Sequence, residues 1–215
     1  LPLHEALREF AVESLLCDNA LLEENIERLI DEFPESVTAF DDKGYTPLHI
    51  ACKEGYPLNV IQTLVGAWPD SVKEETRNKK PMLPLHLVCR YYSGEMWRHS
   101  PSQYICRYYS GRNVQKSQVI HFLLRTYPAA VKVTTQAGEL PLHLCLQNYF
   151  CCFNKTTIPC FNKSMIALLI KADPDSTRVK DSDGNLPFHY CAKSTVDIVY
   201  DIIRADPSLI ELLRS

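Results

Sequence analysis

Glycine is scarce in this chain: seven in 215 residues, too scattered to build a phosphate-cradling loop or the glycine turn of a dinucleotide fold. Long apolar runs are missing too. The most apolar stretch, Leu140 to Phe153, is broken by His143, Gln147 and Asn148 and falls short of the roughly 20 residues a membrane helix needs. Neither sign of charge dominates, because 23 basic and 26 acidic side chains leave a net charge of −3, with no global pull toward nucleic acid or anionic membranes. Leu1 is followed by neither the basic region nor the apolar core of a secretory signal. A cytoplasmic or nuclear chain is expected, cut at both ends from a longer array. The nine cysteines, odd in number and irregular in spacing, fit reduced thiols better than a disulfide framework. Apolar residues make up 46% of the chain, enough for a sizeable core.

What is abundant is repetition. Pro-Leu-His stands at Pro2-Leu3-His4, Pro47-Leu48-His49, Pro84-Leu85-His86 and Pro141-Leu142-His143, and returns as Pro187-Phe188-His189. A second marker follows each copy, headed by Pro34, Pro69, Pro128, Pro174 and Pro207. From each second-marker proline to the next histidine the interval is 15, 17, 15 and 15 residues. From each histidine to its own second marker it is 30, 20, 42, 31 and 18, so every insertion falls on one side of the unit. That variable side carries helical periodicity. Counting back from the marker proline, position −8 holds Ile26, Ile61, Ile120, Ile166 and Val199; position −5 holds Leu29, Leu64, Leu123, Leu169 and Ile202; position −4 holds Ile30, Val65, Leu124, Ile170 and Ile203. Proline at the head of Pro-Leu-His suits the first turn of another helix. Each unit is therefore read as two helices, and the fixed connection, with Gly44, Gly138 and Gly184 five residues before a histidine, as a tight turn.

The stretch Asp41 to His49 matches the Asp-x-x-Gly-x-Thr-Pro-Leu-His signature, and on that basis the chain resembles the ankyrin repeat family over essentially its whole length. The resemblance implies an all-α solenoid of five stacked helix pairs joined by β-turn fingers, with repeats at about 1–44, 45–80, 81–139, 140–185 and 186–215. It further implies a concave groove of fingers and first helices that binds other proteins. The signature threonine survives only as Thr46; Leu1, Leu83, Leu140 and Leu186 replace it, so four helix starts are expected to rely on packing instead of a side-chain cap. The third finger, Asn78 to Met82, is two residues longer and has no glycine.

No catalytic or metal-binding motif emerges. The five histidines recur in one structural position, and packed helices about 8–10 Å apart keep such imidazoles from sharing one zinc ion. The resemblance gives this histidine a structural hydrogen bond to the neighbouring finger. His4-Glu5 starts like a zinc-protease motif, but Arg8 stands where its second histidine belongs. Cys52, Cys89, Cys145 and Cys191 fall just after the motif histidines, where small packing residues belong. Cys145, Cys151, Cys152 and Cys160 lack the two-to-four-residue knuckle of a structural zinc site. Asp181-Ser182-Asp183-Gly184 opens like a calcium loop, yet Ala192 occupies the place of its bidentate glutamate. Neither a cofactor nor a metal is expected, and the chain reads as non-enzymatic.

The groove positions that the resemblance carries over are Asp42, Lys43, Tyr45, Lys53 and Glu54 in the second repeat, Lys79, Lys80, Arg90 and Tyr91 in the third, Glu139, Gln147 and Asn148 in the fourth, and Ser182, Asp183, Asn185 and Lys193 in the fifth. All are expected to be exposed. Arg107 and Tyr108 join them because Cys89-Arg90-Tyr91-Tyr92-Ser93-Gly94 is duplicated at Cys106-Arg107-Tyr108-Tyr109-Ser110-Gly111, and Tyr and Arg are enriched at binding hot spots. Charge is strongly segregated: residues 1–44 hold 12 acidic and 3 basic side chains, net −9, and residues 77–132 hold 10 basic and 1 acidic, net +9. A protein scaffold whose basic third repeat attracts an acidic partner is the leading reading. The alternatives are single-stranded nucleic-acid binding through Arg90, Arg98, Arg107, Arg112 and Lys116 interleaved with tyrosines, or a regulatory module of a larger enzyme. Arg90 and Arg107 lie outside the apolar columns, so replacing both with Glu is expected to leave the fold intact. If the insertions avoid the stacking faces, limited proteolysis should cut first within Ser93 to Gln103; first cleavage at Asp41 to Gly44 would contradict that placement.

Overall fold

The computed structural model describes residues 1–13, 19–91, 116–147, 162–193 and 196–212. Helices run α1 (Pro2–Glu13), α2 (Asn19–Glu32), α3 (Pro47–Glu54), α4 (Leu58–Ala67), α5 (Pro84–Arg90), α6 (116–126), α7 (Pro141–Gln147), α8 (Asn162–Ala172), α9 (Val196–Ala205) and α10 (Leu209–Leu212). No strand occurs among the described residues. The two long insertions, at 92–115 and 148–161, lie outside them, and with them Arg107, Tyr108, Asn148 and the cysteines at 106, 151, 152 and 160.

Two layers build the stack. In the inner layer α1 packs on α3, α3 on α5 and α5 on α7, and α7 packs on a short 3₁₀ helix, Pro187–Lys193. In the outer layer α2 packs on α4 and α8 on α9, each outer helix being the return arm of its unit. The apolar columns read from the sequence form the seam between layers. Ile26, Ile61, Ile120 and Ile166 are fully buried, as are Leu64, Leu123, Leu169 and Ile202, while the −4 column is shallower, with Ile30, Leu124 and Ile203 half-buried. Burial of one such side chain contributes about 1.5–3 kcal/mol. Cys52, Cys89, Cys145 and Cys191 are buried within the inner layer and form no disulfide, acting as small packing groups as the spacing indicated. Burial pushes the Cys191 thiol up to about 12, so it carries no thiolate at neutral pH.

The second marker has a clear structural role. Its proline opens a 3₁₀ turn at Pro34–Val37, Pro69–Lys73, Pro128–Lys132 and Pro174–Arg178. Two residues on, a buried serine hydroxyl donates back to the carbonyl before the proline: Ser36 to Phe33 (2.6 Å), Ser71 to Trp68 (2.5 Å) and Ser176 to Asp173 (2.6 Å). The next residue, Val37, Val72, Val131 or Thr177, is buried and anchors the chain before it enters the finger.

The fingers are tight turns closed by their own polar side chains. Asp41 accepts the N–H groups of Lys43 (2.9 Å) and Tyr45 (2.8 Å), and Asp181 repeats this with Asp183 (3.0 Å) and Asn185 (2.9 Å). In the longer third finger Asn78 accepts the Lys80 N–H (2.9 Å), and Thr76 closes the base with Met82. Adjacent fingers are stitched by backbone bonds, Arg77 N–H to Gly44 O (2.8 Å) and Ser182 N–H to Ala137 O (2.9 Å). That close approach requires glycine. Gly44 has φ +77°, and a Cβ there would stand 2.5 Å from the Arg77 carbonyl carbon.

Three motif histidines, His49, His86 and His143, join their own helix start to the next connection. Nδ1 accepts the N–H of the residue three earlier, Thr46, Leu83 and Leu140 (each 3.1 Å) and Leu186 (2.8 Å). Nε2–H then donates across the stack, from His49 to Glu74 O (3.0 Å), His86 to Val133 O (2.9 Å) and His143 to Asn185 O (3.3 Å). His4 makes the second type of bond, to Ala39 O (3.1 Å). This corrects, for Leu83, Leu140 and Leu186, the expectation that the leucine-started helices rely on packing alone: the imidazole satisfies the N–H of the leucine itself. Only α3 has both devices, Thr46 Oγ1 accepting the His49 N–H at 3.4 Å. In the fifth unit the inner helix is wound as 3₁₀, with His189 N–H bonded to Leu186 O (2.9 Å) and the His189 ring exposed. No later finger among the described residues supplies a carbonyl for it.

Two outcomes follow. Gly184 has φ +80° and open space around its Cβ position, so Gly184→Ala should cost about 1–2 kcal/mol for the left-handed backbone alone. Gly44→Ala, which also collides with the Arg77 backbone, should cost at least twice that in denaturant melts. Burial lowers the pKa of His4, His86 and His143 below the ordinary 6.5 and that of His49 to about 4, against the opposing pull of the carbonyl each ring bonds. The unfolded chain therefore takes up protons first as the pH falls. Stability should be full above 6.5 and decline toward 4, and a His49→Gln variant should start less stable and decline less steeply. The urea midpoint measured against pH checks this.

Candidate protein-binding groove

Residues four after each motif histidine lie on the inner helices: Arg8, Lys53, Arg90, Gln147 and Lys193. Residues four before it stand at the finger bases: Tyr45, Met82, Glu139 and Asn185. The structure brings most of these side chains together. Arg8 pairs with Asp41 of the finger that follows the first unit. The Lys53 ammonium lies between two aromatic rings, 5.6 Å from the centre of Tyr45 and 5.5 Å from that of Tyr91, with Glu54 at 3.5 Å. Arg90 reaches Glu139 at 3.4 Å, and the same carboxylate accepts from Gln147 (2.7 Å) and Thr135 (3.2 Å). Tyr190 donates to Asp181 (2.5 Å), and Asn185 lies beside the same hydroxyl at 3.5 Å.

These contacts tune the groove's titrating groups. Burial raises the Tyr45 phenol, reinforced by Tyr91 and opposed by Lys53, so it stays neutral. Burial likewise raises the Asp181 carboxyl, but the Tyr190 hydroxyl and the Asn185 and Asp183 N–H groups outweigh it and hold the group below its ordinary value. The carboxylate is charged at any physiological pH.

The expectation that all groove positions are exposed needs correction. Asp42, Lys43, Glu54, Lys79, Lys80, Ser182 and Asp183 are exposed, but Tyr45, Lys53, Arg90, Tyr91, Glu139, Gln147 and Asn185 are half-buried. The second set sits where one finger meets the next inner helix, and its members satisfy one another. Lys193 lies in the 3₁₀ helix of the fifth unit. At the finger tips Lys43, Arg77, Lys79 and Lys80 form an exposed cationic edge, Arg77 resting 3.8 Å above the ring centre of Phe40.

A family model described as Ankyrin repeat matches residues 43–74, the second unit from finger to 3₁₀ turn. That unit is similar to an ankyrin repeat. Ankyrin repeats are generally protein–protein interaction modules. No curated protein matches the chain. The matched unit is the one with Thr46 as helix cap, Gly55 in the left-handed conformation between its helices (φ +78°), and the second-shortest histidine-to-proline interval, 20 residues. Three other units keep the Nδ1 bond of the motif histidine, at His86, His143 and His189, with leucine in the place of Thr46.

Sequence reasoning missed Arg8, Asp41, Arg77 and Tyr190. The signal for Arg8 was present, since it holds the same place after His4 that Lys53 holds after His49. Among the described residues no helix is long and apolar enough to cross a membrane, and no group of three or more metal-ligating side chains occurs.

The Arg90–Glu139 pair also changes an expected mutational outcome. Glu139 is 14% exposed at its side chain, so Arg90→Glu sets a like charge against a largely buried carboxylate. That substitution should lower stability by roughly 1–2 kcal/mol and Arg90→Gln by less than half as much, read by thermal unfolding. The fold is not indifferent to this arginine.

Proposed function

We propose that this ankyrin array, with unit boundaries near residues 44, 80, 139 and 185, is a non-catalytic scaffold that binds a protein partner along the groove of fingers and inner helices. One observation carries the reading. From Tyr45 to Asn185, polar and aromatic side chains from successive units lie in one row, held by inter-unit contacts and backed by a cationic finger edge at Lys43, Arg77, Lys79 and Lys80. A pre-ordered row reduces the entropy lost on binding. The charge of that edge favours an acidic segment of the partner, which would cross the finger tips and seat side chains against Tyr45, Lys53 and Tyr91. Intracellular residence is part of the same proposal.

Protein is favoured over single-stranded nucleic acid because Arg90 and Tyr91, two of the residues in the basic-aromatic track, already contact Glu139 and Lys53. An acidic peptide array and single-stranded oligonucleotides, each titrated with salt, test the reading. Lys43→Glu, Lys79→Glu and Lys80→Glu together should weaken peptide binding about tenfold or more and leave the melting temperature unchanged. Steeply salt-dependent oligonucleotide binding with no peptide bound would replace the reading with nucleic-acid recognition. Binding of neither would sink both.

A further inference from the structure

The outer layer has an electrostatic pattern that the groove does not use. Helices α4, α6 and α8, Leu58–Ala67, 116–126 and Asn162–Ala172, contain no aspartate or glutamate. Helix α2 of the same layer holds five, Glu23, Glu24, Glu27, Asp31 and Glu32, against the single Arg28. Glu23 is tied to Asn59 within the stack (2.6 Å), whereas Glu24, Glu27, Asp31 and Glu32 are exposed. Leu21 beside them is 55% exposed, an uncovered leucine on a strongly acidic helix.

The acid-free helices enclose a shallow depression of about 740 Å³. Its floor is apolar, from half-buried Leu58, Phe122 and Leu168, and its rim is polar and cationic, from Gln62, His121 and Arg125. Lys171 is exposed on α8 of the same layer. An apolar floor with a cationic rim is the complement of a leucine flanked by carboxylates. Both surfaces belong to one chain: α2 carries five acidic side chains against one basic, whereas α4, α6 and α8 together carry basic side chains, Arg125 and Lys171 among them, and no acidic ones.

We infer that two copies of this chain pair through their outer layers, α2 of each lying on the α4/α6/α8 depression of the other, with Leu21 over Leu58 and Phe122 and the α2 carboxylates against Arg125 and Lys171. The acidic unit and the depression lie in different units, so an antiparallel pair satisfies both contacts at once. A two-fold arrangement closes on itself, whereas a head-to-tail one would continue into filaments. The groove and finger tips stay free, so the pairing is independent of the groove reading, and two grooves would be presented per assembly.

Sedimentation velocity over a range of protein concentrations tests this at low salt and at about 0.3 M, where screening shortens the reach of exposed charges to a few ångströms. Wild-type chain should be a dimer at low salt and a monomer at high salt. Arg125→Glu, and separately Glu24→Arg with Glu27→Arg, should each be monomeric under the low-salt condition, their helical signal unchanged because all three positions are exposed. Mixing the two variants should restore a heterodimer, since the reversed α2 meets the reversed depression and the wild-type pair remains intact. Lys171→Glu should weaken the dimer like Arg125→Glu and guards against an unexpected folding defect at Arg125. A wild-type monomer at low salt, a dimer indifferent to both charge reversals, failure of the mixture to associate, or open-ended assemblies would each overturn the proposal.

Discussion

The bond that the rest of the stack depends on is the one from a motif imidazole across to the next connection. At His49, His86 and His143 a single ring satisfies an orphan N–H at its own helix start and a carbonyl in the connection that follows, so it couples the inner layer to the finger layer. Nδ1 accepts a backbone N–H, which fixes the proton on Nε2 and makes the ring neutral. Burial and tautomer thus support one geometry. They also explain why the interval from marker proline to histidine is nearly constant at 15, 17, 15 and 15: the ring must arrive opposite a given carbonyl, and only the second connection, Pro69 to His86, with its longer Asn78 turn, differs.

Fixing one side of the unit leaves the other free. Between histidine and marker proline lie two helices and the junction between them, and length added at that junction is not part of the finger stitching. Insertions there cost little beyond loop closure, which grows slowly with length. This is why the interval runs from 18 to 42 residues while the buried columns at Ile61, Ile120 and Ile166 keep their register relative to the proline. The 3₁₀ turn resets the chain after each outer helix.

Much of the fold could be read from the sequence because its periodic signals coincide with its physical ones. Proline-started inner helices, the −8 and −5 columns and the buried cysteines all follow from spacing. The serine bond inside the 3₁₀ turn did not, because Ser36, Ser71 and Ser176 read as ordinary turn residues until their hydroxyls are seen pointing back to a carbonyl. The groove was legible in position but not in state. Counting from the histidine finds Tyr45, Lys53, Arg90, Glu139 and Gln147, yet nothing in a linear count reveals that Arg90 of one unit lands on Glu139 of the next, 49 residues away. Pairing between units depends on the stacking distance, which becomes visible only after the helices are assembled.

That inter-unit pairing gives the groove a particular mechanical character. In a solenoid each unit touches only its neighbours, so stiffness is set interface by interface. Here every interface carries apolar packing of inner helices and the imidazole bond, and two of them add a contact between a finger and an inner helix, Arg8–Asp41 and Arg90–Glu139. The Tyr45–Lys53–Tyr91 cluster adds a third tie between the second and third units, because Lys53 of α3 contacts the finger before it and the end of α5 after it. A partner meeting that row finds side chains already held at a fixed spacing. Its recognition would then depend on matching that spacing, since moving any one groove residue breaks a contact that also holds two repeats together.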